Sequence, residues 1–253
     1  AGIGLPVSDM RERWDLRARR DPVAYIETRR TVADLDAFFS LGEHFAKVLV
    51  DPVLQSAGTG RSCALDHGCG LGRVTRALAK RFDEVVGVDV SREMVRRAEE
   101  LHPSDEYPQV TFLETDGIRI PLASESCDFV FSYEVFQHLP SRHVMRENLA
   151  EIGRVLRRDG LALIHVHRAP SPTVYWLEKS KRLVPDSLWA RLKLMLRRGD
   201  PLTSDATFRG TAPLTRREIA RLWASAGLAV SELRDDPTHE PGDRALVVAR
   251  PTA

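Results

Sequence analysis

Residues 63–72 read Cys63-Ala64-Leu65-Asp66-His67-Gly68-Cys69-Gly70-Leu71-Gly72. A short apolar run closes on an acid and passes straight into glycines spaced GxGxG. Residues 73–82 (RVTRALAKRF) then place Val74, Leu78 and Phe82 at helical spacing. The pattern is a strand, a glycine turn and a helix. Glycines let a ligand approach the backbone closely, and the start of the following helix offers unpaired N–H groups and the positive end of its dipole. A nicotinamide or flavin dinucleotide fingerprint would read GxGxxG. Arg73 stands where its last glycine belongs, which counts against a dehydrogenase.

Working outward, the same alternation continues. Val85, Val86 and Val88 form a strand with Asp89 at its carboxyl end. Ser91 is a fitting N-cap for a helix over 92–101, with Met94, Val95, Ala98 and Leu101 on one face. Strands are expected at 110–114 and 128–133, a helix at 142–157 and a strand at 161–167. Thr215 and Glu218 have capping-box spacing for a helix running to Ala226, with Gly227 as its C-terminal cap. Two last strands follow at 228–233 and 245–249. This order predicts an α/β fold whose mostly parallel sheet carries helices on both faces. Ligands of such sheets bind outside the carboxyl ends of the strands, where strand order reverses.

Two segments fall outside the alternation. Residues 1–60 read as an N-terminal helical clasp, anchored by Trp14, Tyr25, Phe38, Phe39 and Phe45, ahead of a main domain over 61–253. Residues 169–213 are too long for a plain connection and read as a lid or cap insertion.

Composition narrows the function. The chain has 253 residues, with 37 Lys and Arg against 36 Asp and Glu, a net charge of +1. That near-balance argues against a globally basic nucleic-acid binder. The three cysteines, Cys63, Cys69 and Cys127, lack the spacing of a disulfide framework or zinc site. The N-terminal residues do not read as a signal peptide, and no uncharged stretch approaches the roughly 20 residues that span a bilayer. A reduced, cytoplasmic protein is expected.

Taken together, DHGCGLG (66–72), Asp89 in GVDVS (87–91), LETDG (113–117) and FVFSYEVFQHLP (129–140) resemble the class I S-adenosylmethionine-dependent methyltransferases. The resemblance covers about residues 60–168 and resumes at 213–250, where PLTRREIARLWASAGL (213–228) is similar to the family's penultimate segment. It implies a Rossmann-like, seven-stranded sheet and S-adenosylmethionine as cofactor, with S-adenosylhomocysteine as product. It also implies roles. Asp66, Cys69 and the backbone of Gly68, Gly70 and Gly72 would hold the amino-acid end of the cofactor. Asp89 would take both ribose hydroxyls, for which a bidentate carboxylate is apt. Val90, Asp116, Gly117 and Ile118 would receive adenine, and Ser132 and Tyr133 would lie near the reacting methyl.

Methyl transfer from a sulfonium is an in-line displacement, so alignment and a dry pocket supply most of the acceleration, and a general base matters when the acceptor is a hydroxyl. His138 and His167 are the candidate bases, each near the end of a strand, with Tyr133 as a third catalytic candidate. His165 shares a strand face with His167 by the two-residue period. No metal is expected, because Asp116, Asp128 and Glu134 are accounted for by cofactor, strand-end and loop roles. The expected acceptor is a small molecule with an O or N nucleophile, a specialised metabolite or lipid-linked compound. Residues 176–198 carry a net charge of +5 among apolar residues. They read as a solvated lid helix, or as a surface for weak contact with a membrane or an acidic substrate. An RNA or protein methyltransferase and a cofactor-binding scaffold without transferase activity are the alternatives. No nucleic-acid partner is expected, and the sequence leaves the oligomeric state open.

Overall fold

A computed structural model describes residues 7–27, 32–169, 211–239 and 244–252. Seven strands form one sheet: β1 (Cys63–His67), β2 (Glu84–Asp89), β3 (Val110–Glu114), β4 (Cys127–Ser132), β5 (Leu156–His167), β6 (Leu228–Asp235) and β7 (Arg244–Pro251). Their spatial order is β3-β2-β1-β4-β5-β7-β6. β1 to β5 pair in parallel, whereas β7 runs antiparallel to both β5 and β6. The order reverses between β1 and β4, so the cleft there is where a ligand belongs.

The period-2 alternation of each strand separates two apolar layers. Leu65, Val130, Ile164 and Val247 pack on one face with α7 (Arg142–Val155) and α8 (Arg216–Ser225), where Trp223 is fully buried. Ala64, Phe129, Phe131, Leu163 and Leu246 meet the other face. That face is covered by α4 (Asp51–Ala57), α5 (Arg73–Leu78) and the π-helical turn Ala46–Val50. The π turn continues α3 (Leu35–Phe45). α3 crosses α5 closely at Gly42, where a Cβ would lie 2.0 Å from the Arg73 carbonyl oxygen.

The capping signals act as the sequence predicts. Ser91 caps α6 (Arg92–Leu101) by accepting from the Met94 amide, and Thr215 and Glu218 close a capping box on α8. Several boundaries move, among them the end of α7, at Val155 rather than 157. α5 stops at Leu78, where the chain turns and Arg81 is held by Asp51 and Glu43, yet Phe82 still reaches the core. β4 ends at Ser132, so Tyr133 stands one residue past the strand. β5 begins at Leu156, since Leu156 already pairs with Cys127 before a register shift, and Arg157 binds Asp128 at 2.7 Å.

Ahead of the sheet, α1 (Val7–Arg20) and α2 (Pro22–Ile26) precede α3. Of the aromatic anchors expected there, Tyr25, Phe38, Phe39 and Phe45 are buried, and Trp14 is half-buried with its ring edge-on to His138 at 5.3 Å. Most of the expected lid, including 176–198, lies outside the described residues.

Candidate active site

The glycine turn links β1 to α5 through three left-handed residues, Gly68, Gly70 and Gly72, with φ of 78°, 54° and 78°. The amides of Gly68 and Cys69 donate to the Val88 carbonyl, which ties the turn to β2. Asp66 is buried, and its carboxylate accepts from the Thr75 hydroxyl at 2.6 Å. Burial, with the Asp89 charge nearby, pushes the Asp66 carboxyl up to about 6. His67 donates or accepts at both ring nitrogens, to Ser132 Oγ at 3.1 Å and Asn148 Oδ1 at 2.9 Å. Burial lowers it to about 4 and keeps it neutral, which suits the structural role that its position beside the turn suggests.

Asp89 ends β2 one strand away. Its Oδ2 accepts from the Gly70 amide and its Oδ1 from the Ser91 amide, both at 2.9 Å. Burial raises its carboxyl above the usual range. A carboxylate offers about four lone-pair sites. Two bonds therefore fix the side chain while leaving acceptor capacity on each oxygen for a vicinal diol. Beyond it, Val90 and Ile118 are half-buried on either side of the buried Gly117, whose φ is 92°. Asp116 Oδ1 accepts from the amides of Ile118 and Arg119, so one of its oxygens is spent on its own loop.

The cleft thus brings together a buried acid, backbone glycines, a diol-matched carboxylate and an apolar slot. That donor set fits S-adenosylmethionine: an ammonium, a ribose and an adenine ring. The comparison with known proteins agrees. Residues 65–164 match the family model described as a methyltransferase domain. Over that stretch the chain is similar to methyltransferases. It is 30% identical over 128 residues to the 2-methyl-6-phytyl-1,4-hydroquinone methyltransferase of Synechocystis, a match covering 50% of this chain and 36% of that protein. It is 36% identical over 112 residues to the 27-O-demethylrifamycin SV methyltransferase of Amycolatopsis mediterranei, covering 43% of this chain and 40% of that protein. The chain therefore spans well under half the length of these curated relatives. In fold it is similar to an S-adenosylmethionine-dependent methyltransferase of Clostridium acetobutylicum, with a TM-score of 0.59 at 11% identity over 83% of this chain and 91% of that one. Solved structures of the same fold include S-adenosylmethionine-dependent methyltransferases.

On the other side of the switch point, the ends of β4 and β5 meet the loop after β6. Glu134 takes a left-handed conformation, φ 59°, directly after Tyr133. The Tyr133 hydroxyl lies 3.1 Å from Asp236 Oδ2 and 2.8 Å from Thr238 Oγ1, and its ring lies 4.7 Å from that of His165. Burial and the nearby carboxylates raise the Tyr133 phenol far above its ordinary value. His239 bridges Glu134 Oε1 at 3.1 Å and Asp236 Oδ2 at 2.9 Å. Hydrogen bonds from His239 and Thr238 hold the Asp236 carboxyl at about 2 against the opposing effect of burial.

His167 follows on the same strand face as His165, and burial drives it well below its ordinary value, so it is a poor proton acceptor near neutrality. His138 sits on the 3-10 turn Phe136–His138, between Trp14 and the Gln137 amide. The sequence reading singled out His138, His167 and Tyr133 and passed over Asp236, Thr238 and His239. Those three lie on the turn joining two expected strands. Only the insertion of β7 beside β5 brings that turn to His165.

Among the described residues no helix is long and apolar enough to cross a membrane.

Proposed function

We propose that this chain transfers the methyl group of S-adenosylmethionine to a small-molecule acceptor through a hydroxyl or amine. The bound cofactor supplies an electrophilic methyl on a sulfonium. Asp66 and the backbone of Gly68, Cys69, Gly70 and Gly72 hold the amino-acid end. Asp89 accepts from the two ribose hydroxyls, and Val90, Asp116, Gly117 and Ile118 receive the adenine. Ser132 and Tyr133 border the reacting centre. Tyr133, kept protonated by its surroundings, serves as a fixed hydrogen-bond donor or wall rather than a base, and His138, rather than His167, which burial makes a poor proton acceptor, receives the acceptor proton. The names of the two curated relatives, one a hydroquinone methyltransferase and the other acting on an O-demethyl compound, favour an oxygen-bearing organic acceptor.

The observation that carries this reading is the Asp89 carboxylate, locked by the Gly70 and Ser91 amides at the switch point of the sheet. Calorimetric titration with S-adenosylmethionine and S-adenosylhomocysteine tests it. Wild type should bind both, and Asp89→Ala should lose roughly 1.5–3 kcal/mol for each charge-assisted bond removed. Asp89→Asn, which keeps one carbonyl acceptor, should fall between them. A folded wild type that binds neither ligand would refute the proposal. Binding without methylation of any hydroquinone, phenol or amine supplied with labelled cofactor would leave a scaffold instead.

A further inference from the structure

We infer that Glu134, His165 and His239 form a site for one divalent transition-metal cation beside the acceptor end of the cleft. One donor atom from each of the three lies within 4.8 Å of the others. Two imidazoles and a carboxylate are the ligand set of catalytic zinc sites, and also of the facial triad that holds ferrous iron. Tetrahedral bonds of about 2.0–2.2 Å put neighbouring donors about 3.3–3.5 Å apart. His239 Nε2 and Glu134 Oε1, at 3.1 Å, stand a little inside that spacing. The other donor separations are at most 4.8 Å.

Two further observations point to a cation. His165 is fully buried, yet neither ring nitrogen has a hydrogen-bond partner among the described residues. Its nearest acid oxygen, Asp236 Oδ2, is 3.4 Å from Nε2. A buried imidazole with both nitrogens unbonded is costly, and coordination would satisfy one of them. The second observation is the orientation of His239. Its Nδ1 lies 2.9 Å from the buried Asp236 carboxylate, the arrangement in which a carboxylate fixes the tautomer of a metal-binding histidine. With the proton on Nδ1, Nε2 presents a lone pair to the Glu134 carboxylate. A proton on Nε2 makes this contact a hydrogen bond, and a cation would replace that proton between the same two donor atoms.

The site sits at the ends of β4 and β5, beside Tyr133. Resting on the methyl-transfer reading, the cation would bind an oxygen of the acceptor and favour its deprotonation, the Lewis-acid role open to such a metal. Glu134 would then be a ligand rather than a loop residue, reversing the expectation from sequence that no metal is bound.

The test uses untagged protein dialysed against EDTA and titrated with Zn2+ or Co2+ alone. One equivalent should bind, with the visible d–d absorption of Co2+ coordinated by nitrogen and oxygen. Mg2+ should compete poorly, because imidazole suits the softer ions. Glu134→Gln and His239→Gln should abolish the cobalt spectrum, and Asp236→Asn should weaken binding by about tenfold. S-Adenosylhomocysteine is titrated into the same samples. Homocysteine-adduct binding retained with no cation bound, or cation binding that survives in Glu134→Gln and His239→Gln alike, overturns the site. Cation binding without cofactor binding would uphold the site and discard the methyl-transfer reading. Should His239→Gln fail to fold, the more exposed Glu134 carries the comparison.

Discussion

The Thr75 hydroxyl donates a 2.6 Å hydrogen bond to the buried carboxylate of Asp66. The first turn of α5 thus grips the acid that ends β1, across the glycine turn that separates them. One hydrogen bond does not offset the burial of a charge, and the Asp66 carboxyl is pushed up to about 6. Burial thus works against the charge on Asp66.

Asp66→Asn should therefore stabilise the protein without cofactor at neutral pH. The folded value, about 6, lies above the ordinary 3.8, so between those pH values the folded chain holds a proton that the unfolded chain releases. The wild type is favoured by this group below about pH 4 and loses that advantage as pH rises through 6. A gap of about two pH units corresponds to about 3 kcal/mol at most. Urea denaturation should show the variant more stable by about 1–3 kcal/mol at pH 7, with the difference shrinking toward pH 4. His67, which works in the opposite sense, is common to both proteins and drops out of the comparison. Affinity for S-adenosylmethionine should fall at the same time. A variant no more stable than wild type at pH 7 would contradict the assignment.

Arg73, the residue that breaks the dinucleotide pattern, forms a buried ion pair with Glu27 at 2.9 Å. Its guanidinium also lies 4.8 Å from the Phe45 ring and 5.3 Å from that of Phe38. Removing one partner of a buried pair strands the other charge, so Glu27→Ala should cost about 3–5 kcal/mol. Glu27→Gln, which can still accept a hydrogen bond, should cost less. Equal thermal midpoints for wild type and Glu27→Ala would show the pair to be idle.

Much of the sheet is legible because the central strands β1 and β4 are buried along their whole length and several elements begin or end in a recognisable signal. Asp66 and the glycines close β1, Asp89 closes β2, and Ser91 and Thr215 open helices. The boundaries of β1, α6 and β3 were read to the residue for that reason. β5 was read five residues short, since Arg157, Arg158, Asp159 and Gly160 look like a turn and only pairing across to Cys127 makes them strand. The cluster around His165 was not legible at all. Glu134, His165 and His239 are up to 105 positions apart in the chain, and what joins them is the antiparallel placement of β7, a tertiary fact with no local periodicity. His138 and His167 were conspicuous as strand-end histidines, whereas His239, on a turn, carried no such signal.

The last prediction concerns α1. Asp15 Oδ1 accepts from the Ser91 hydroxyl at 2.6 Å and from the Glu93 amide at 3.1 Å, so α1 caps the start of α6 from outside. Arg11 adds a bond to the Thr115 carbonyl at 3.0 Å and an ion pair with Glu114. These contacts set Val7 and Met10 against Gly117, in the slot proposed for adenine. A Cβ on Gly117 would lie 2.4 Å from Val7 Cγ1 and 3.5 Å from Met10 Cε, and Met10 is buried in the cluster that Val90 and Ile118 join. Asp15→Ala should lower stability by about 1–2 kcal/mol, the usual loss for a capping acid. If α1 retains the cofactor, the same change should speed release of S-adenosylhomocysteine severalfold in stopped-flow displacement. Arg11→Ala should act in the same direction with a smaller stability loss, because its ion pair is partly exposed. Release rates unchanged in both variants would mean that α1 braces α6 and leaves the cofactor free to come and go.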